Sequence, residues 1–343
     1  MKDAALVVAG VKSAQDILND IIATAKQTNQ EIKPWEQEVT VTDADRATGW
    51  IARGKANIKI TGPIIGSQIK SIGEAAEKAD DSQIFRLDFS EVTGLTEWEK
   101  SWWPLVHFEL GSIALPEGLK KIEESSLDAG SSLVEANLPA SLENIGTSIF
   151  DGPLARLIIP ASLEQALNGS AYSEYIMSIG GIWEVPGGKS LQTPVILDEG
   201  IEEIDLGRLA VPGGYSDHKN TAIRYILPST LKRFCVWGTE WSEHALIKLP
   251  SIVTEIYCYA ATPPVYEIPV YQKQQMLADD RRNYYSRMIP AELTEKAKLC
   301  FENVKTIYVP AGSEKAYEDA WFNYTAAEFK PIPANLATID KWY

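Results

Sequence analysis

The five-residue word Pro-Ala-Ser-Leu-Glu occurs twice, at 139–143 and at 160–164, 21 residues apart. A repeated sequence unit usually folds as a repeated structural unit, so this recurrence limits the fold more than any other feature of the chain. The wider pattern is apolar, Pro, any residue, small, apolar: Leu115–Leu119 (LPEGL), Leu138–Leu142 (LPASL), Ile159–Leu163 (IPASL), Leu227–Leu231 (LPSTL) and Leu249–Val253 (LPSIV). Leu197–Ile201 (LDEGI) has Asp198 in place of proline, and Val309–Ser313 (VPAGS) has Ser313 in place of the last apolar residue. Starting positions are separated by 23, 21, 38, 30, 22 and 60 residues, so three spacings lie near 22 and the others imply insertions or degenerate copies.

Each copy has the same physical grammar. One or two apolar residues form a short strand with a buried side chain, and proline then removes the next backbone donor and ends the pairing. A small residue permits the turn. An apolar residue follows, and another three later (Leu119 and Ile122, Leu142 and Ile145, Ile201 and Ile204), directing the chain inward again. A single unit cannot bury its apolar side alone, whereas stacked neighbours share a core. The expected product is an α/β solenoid of irregular repeats with short parallel strands.

The stretch "LPASLENIGTSIF" at Leu138–Phe150 resembles the BspA-type leucine-rich repeat of surface proteins from gut and oral Bacteroidetes. "IYCYAATPPVYE" at Ile256–Glu267 and "VKTIYVPAGSEKAYEDAWFNY" at Val304–Tyr324 are similar to that family's C-terminal end. "NIKITGPIIGSQIKSIGEAAEKADDSQIFRLDFSEV" at Asn57–Val92 is similar to its opening unit: strand, glycine turn, helix, then an "LDLS"-type strand. The resemblance covers about residues 55–330. It implies a leucine-rich-repeat solenoid, and a non-enzymatic protein exported to the cell surface, in some members lipid-anchored, that functions in adhesion.

Four regions follow from this reading. Residues 1–54 form an N-terminal segment in which Ile17, Leu18, Ile21, Ile22 and Ala25 have helical spacing, as expected of a helical cap. Residues 55–110 hold the opening repeat-like unit, 111–330 the repeats, and 331–343 a C-terminal tail. Insertions interrupt the repeats near 163–194, which carries Gly-Gly and Pro-Gly-Gly, and near 268–300, where 270–287 reads as an inserted helix or arm.

Composition narrows the function. With 32 Lys and Arg against 47 Asp and Glu, the chain carries a formal charge of −15, which disfavours a nucleic-acid partner. The opening residues provide neither a membrane span nor a recognisable secretory signal, which leaves cytoplasmic residence or a start after a removed signal. Cys235, Cys258 and Cys300 lack CxxC spacing and read as buried free thiols. His107, His218 and His244 are scattered, with no metal-ligand spacing. "TDADRATG" at 42–49 begins like a calcium loop but lacks its later ligands, and reads as a solvated loop. Phosphate-cradling glycine motifs and a GxSxG elbow are absent, so no catalytic, cofactor or metal residue is nominated.

Two groups of residues are candidates for binding. "DDRRNYYSR" at 279–287 places Arg281, Arg282 and Arg287 beside Tyr284 and Tyr285, the side-chain types that dominate protein-binding hot spots. Trp98, Trp102 and Trp103, with Trp237 and Trp241, could instead form stacking platforms for sugar rings, or pack the core. The resemblance implies binding of a host or neighbouring-cell protein; glycan capture through exposed tryptophans is the alternative.

Overall fold

The structure, a computed structural model, describes residues 37–79, 83–99, 109–127, 133, 135–146, 149–151, 154, 156–169, 177–179, 191–209, 211–212, 221–236, 249, 251–271, 273–274 and 300–343. The chain divides into two compact units. One comprises Met1–Leu157, Ser178–Thr193 and Gly213–Thr221, the other Ile158–Met177, Pro194–Pro212 and Ala222–Tyr343.

In the first unit, strand Val39–Val41 leads into helix Ala44–Ile51. The Asp43 carboxylate caps that helix by accepting the Arg46 N–H at 2.8 Å, so "TDADRATG" is a helix start and not the solvated loop its composition suggested. Strand Asn57–Pro63, a turn at Gly62 (φ 87°), helix Gly66–Glu77 and strand Ile84–Thr93 follow. The two strands pair in parallel, which a crossover helix allows. Period-two alternation sends Phe85, Leu87 and Phe89 inward, where they are fully buried. The sheet order is Val39–Val41, Asn57–Pro63, Ile84–Thr93, Glu109–Ala114 and Glu135–Asn137.

A second parallel sheet runs in the order Leu157–Ile159, Leu191–Leu197, Thr221–Leu227, Val253–Cys258, Thr306–Val309 and Glu328–Pro331, the last three lying wholly in the second unit. Its inner side carries Tyr225, Ile256 and Ile307, all fully buried. Beneath them Phe234 stacks on Phe301 at 5.5 Å, and helix Glu314–Trp321 contributes Tyr317 and Trp321. Both rings anchor their polar atoms: Tyr317 Oη donates to the Ala260 carbonyl at 2.7 Å and Trp321 Nε1 to the Pro264 carbonyl at 2.9 Å.

The solenoid expectation is corrected. Among the described residues the strands are shared among five small sheets, of six, five, three, three and three strands, with four α-helices, and no solenoid or closed barrel forms. Glu135–Asn137 ends one sheet and Leu157–Ile159 begins another. The repeats at 138–142 and 159–163 thus share a turn sequence without sharing a sheet. A turn motif sets local geometry, whereas sheet membership is decided by non-local pairing. The expected N-terminal cap helix at 11–30 lies outside the described residues.

What the repeated words do build is a recurrent turn. The N–H of the last apolar residue donates to the carbonyl of the residue at the proline position: Leu119 to Pro116 at 3.0 Å, Leu142 to Pro139 at 3.1 Å, Leu163 to Pro160 at 3.0 Å and Leu231 to Pro228 at 3.3 Å. The small residue has a second task beyond permitting the turn. Ser141 Oγ donates to the Leu119 carbonyl at 2.7 Å, and Thr230 Oγ1 to the Ile201 carbonyl at 2.8 Å, each reaching the last apolar residue of the preceding copy. Charges just after the turn are opposite in sign in two pairs of neighbouring copies. Lys120 pairs with Glu143 and Lys232 with Glu202, both at 2.6 Å, and Arg233 pairs with Glu203.

Candidate functional site

The residues singled out for binding fall mostly outside the described part of the chain. This holds for Arg281, Arg282, Tyr284, Tyr285 and Arg287, and for Trp102, Trp103, Trp237 and Trp241; the three histidines lie there too. Trp98 is described, and it is a core residue: fully buried, with its ring edge-on to Phe89 at a centroid distance of 5.5 Å. It offers no face to a sugar. Cys235, Cys258 and Cys300 are all buried free thiols. Burial pushes the Cys258 thiol up to about 11 and raises that of Cys300 further, so neither is an activated nucleophile.

The described residues instead converge on the outer face of the six-stranded sheet. Register sets the rows. Arg224, Glu255, Thr306 and Glu328 are consecutive cross-strand partners, as are Ile226, Tyr257, Tyr308 and Lys330 one row on. Because the residues between these rows (Tyr225, Ile256, Ile307) point into the core, both rows lie on the opposite side. Arg224 Nε lies 2.6 Å from Glu255 Oε2 and Lys330 Nζ 2.8 Å from Glu328 Oε2. Tyr257 and Tyr308 stack with ring centroids 4.3 Å apart and planes 12° from parallel. Tyr308 is half-buried and meets solvent. Tyr257 is covered, because the Trp342 ring packs edge-on against it at 5.0 Å.

Tyr259, two residues on from Tyr257, links this face to the segment that covers it. Its hydroxyl accepts from Trp342 Nε1 at 2.9 Å and donates to the Leu336 carbonyl at 2.6 Å. Burial raises the Tyr259 hydroxyl to about 12, and burial together with the Glu255 carboxylate raises Tyr257, so both rings stay neutral and able to donate. The Tyr343 hydroxyl donates to Asp198 Oδ1. A face of this composition, with neutral phenols beside two internally paired ion pairs, can stack an aromatic group and exchange hydrogen bonds with it. It brings together no nucleophile and base. Sequence reasoning missed these tyrosines, although a signal was present: the Ile-Tyr pair at 256–257 recurs at 307–308, in each case an inward residue followed by an outward one.

In the first unit, an open groove of about 680 Å³ lies between helices Ala44–Ile51 and Gly66–Glu77, lined by small residues such as Gly49, Ala52, Ala75 and Ala79. Several of its polar groups are engaged locally: Thr48 Oγ1 donates to the Asp45 carbonyl, Ser71 Oγ to that of Ser67 and Gln83 Nε2 to that of Gly54. Among the described residues there is no group of three or more metal-ligating side chains, and no helix is long and apolar enough to cross a membrane.

These features define a mixed α/β protein of small parallel sheets with an aromatic outer face. No family model matches the chain and no curated protein matches it, so the BspA-type resemblance rests on the residues quoted above. Among solved structures, the crystal structure of the pneumococcal vaccine antigen PcpA aligns at 12% identity over 82% of this chain and 90% of that one, with a TM-score of 0.14. A TM-score that low carries no argument about fold or function.

Proposed function

We propose that this chain is a non-catalytic binding protein that recognises another protein, host or neighbouring-cell, through the outer sheet face, where Tyr308 and Lys330 are open to solvent beside the covered Tyr257 and Arg224. The observation that carries this reading is the stacked Tyr257–Tyr308 pair flanked by paired charges. Tyr and Arg are the types that supply protein-binding hot spots, and a tyrosine already held by stacking loses little freedom on binding. Placement at the cell surface rests on the family resemblance alone. The test is capture of purified protein on an array of extracellular-matrix proteins and glycans, with wild type beside Tyr308→Ala. Protein ligands lost with that substitution, at an unchanged melting temperature, are the expected result. Ligands confined to glycans would replace protein binding with carbohydrate capture, and binding unaffected by Tyr308→Ala would remove this face from the account.

A further inference from the structure

The covered half of the tyrosine face is occupied by residues of the chain's own last segment. After strand Glu328–Pro331, residues 332–343 return over the outer side of the sheet in two short helical turns, Ala334–Leu336 and Ile339–Trp342. Trp342 is 4% exposed and meets the face in two ways, ring edge to Tyr257 and indole N–H to the Tyr259 hydroxyl. Leu336 supplies the carbonyl that accepts the hydrogen bond from the Tyr259 hydroxyl. An aromatic ring, one donor and one backbone acceptor are the groups that a short peptide bearing a tryptophan presents. Next to this seat Tyr308, the stacking partner of Tyr257, remains partly open to solvent.

We propose that Tyr257, Tyr259 and Tyr308 form a docking face for a tryptophan-bearing peptide segment of a protein partner, and that residues 332–343 occupy it as an internal stand-in which the partner displaces. This rests on the reading of the outer face as the binding surface and specifies the chemistry of what binds there. The stand-in holds its seat at the high effective concentration of a tethered ligand, so a partner's apparent affinity is reduced by the fraction of molecules in which the seat is open.

The experiment uses a fluorescently labelled peptide of residues 332–343 and full-length protein carrying Trp342→Ala and Tyr343→Ala, which weaken the internal segment. The variant should capture the peptide about tenfold more tightly than wild-type protein does, as expected when about nine molecules in ten are closed. A peptide with Trp342→Ala should not compete, and adding Tyr259→Phe to the variant should weaken capture. Equal capture by wild type and variant, or no saturable capture by a variant that still melts cooperatively, overturns the proposal. Hydrogen exchange on wild-type protein keeps the test decisive if the variant misfolds. Amides of 332–343 should exchange faster than those of strand Val253–Cys258, and equal protection would make the segment an integral part of the core. Because the peptide assay needs no natural partner, peptide capture with an empty ligand array sinks the proposed function alone, whereas array ligands without peptide capture sink only this inference.

Discussion

Gly146 shows how one atom sets the distance between neighbouring stretches of chain. A β-carbon built there would lie 2.3 Å from the Glu124 backbone nitrogen, and the Gly146 N–H donates to the Ile122 carbonyl at 2.8 Å. Backbone cannot move aside as a flexible side chain can, so Gly146→Ala should destabilise by about 1–3 kcal/mol; a fall in urea midpoint at constant m-value would show it. A second prediction concerns alkaline pH. Cys258 is raised from 9.0 to about 11 and Tyr259 from 10.0 to about 12, in both cases mainly by burial. In each the neutral form is favoured by folding, so the stabilisation is complete below the unfolded-state value and is lost as pH rises through the folded one. Melting temperature should therefore hold up to about pH 9 and fall between about pH 9 and 12, and Tyr259→Phe should flatten the upper part of that fall.

At the scale of the element, the Pro-x-x-apolar turns were legible because everything that makes them is local. The proline ends a strand, the carbonyl at the proline position takes the N–H three residues on, and the pattern held even where the word was degenerate, as at Ser313, whose N–H reaches Pro310. The same grammar at 332–336, "IPANL", went unread, and its Leu336 N–H donates to Pro333 at 2.8 Å. The assembly of those turns was not legible. Which strands share a sheet depends on partners tens of residues away, and the rows Arg224–Glu255 and Tyr257–Tyr308 exist only after that pairing is fixed. Side-chain staples between copies are the most direct test of the pairing. Thr230 Oγ1 donates to the Ile201 carbonyl and accepts the Gly200 N–H at 2.9 Å. Thr230→Val keeps the shape and loses both bonds, at a cost of about 1–3 kcal/mol, while Thr230→Ser should keep most of the stability. Reversing one sign in such a pair, as in Lys120→Glu beside Glu143, should cost less than about 1 kcal/mol because both groups are exposed, and the cost should shrink in high salt.

For the whole molecule, the division into units has a consequence for fragments. The unit that contains Met1–Leu157 also takes in Ser178–Thr193 and Gly213–Thr221. No single cut recovers it complete. A fragment ending at Leu157 should accordingly show a broader, lower thermal transition than the full chain, measured by calorimetry, and the complementary fragment should fare no better. The last strand of the six-stranded sheet bears on how separate molecules meet. The N–H groups of Glu328 and Ile332 point to their neighbour strand, donating to the Lys305 and Val309 carbonyls, so residues 329 and 331 face the other way, and residue 331 is a proline. An unfinished row of backbone groups invites a further chain to extend it, and here the row lacks a donor where the next rung would form. Growth of the sheet at that rim is discouraged by a missing hydrogen atom.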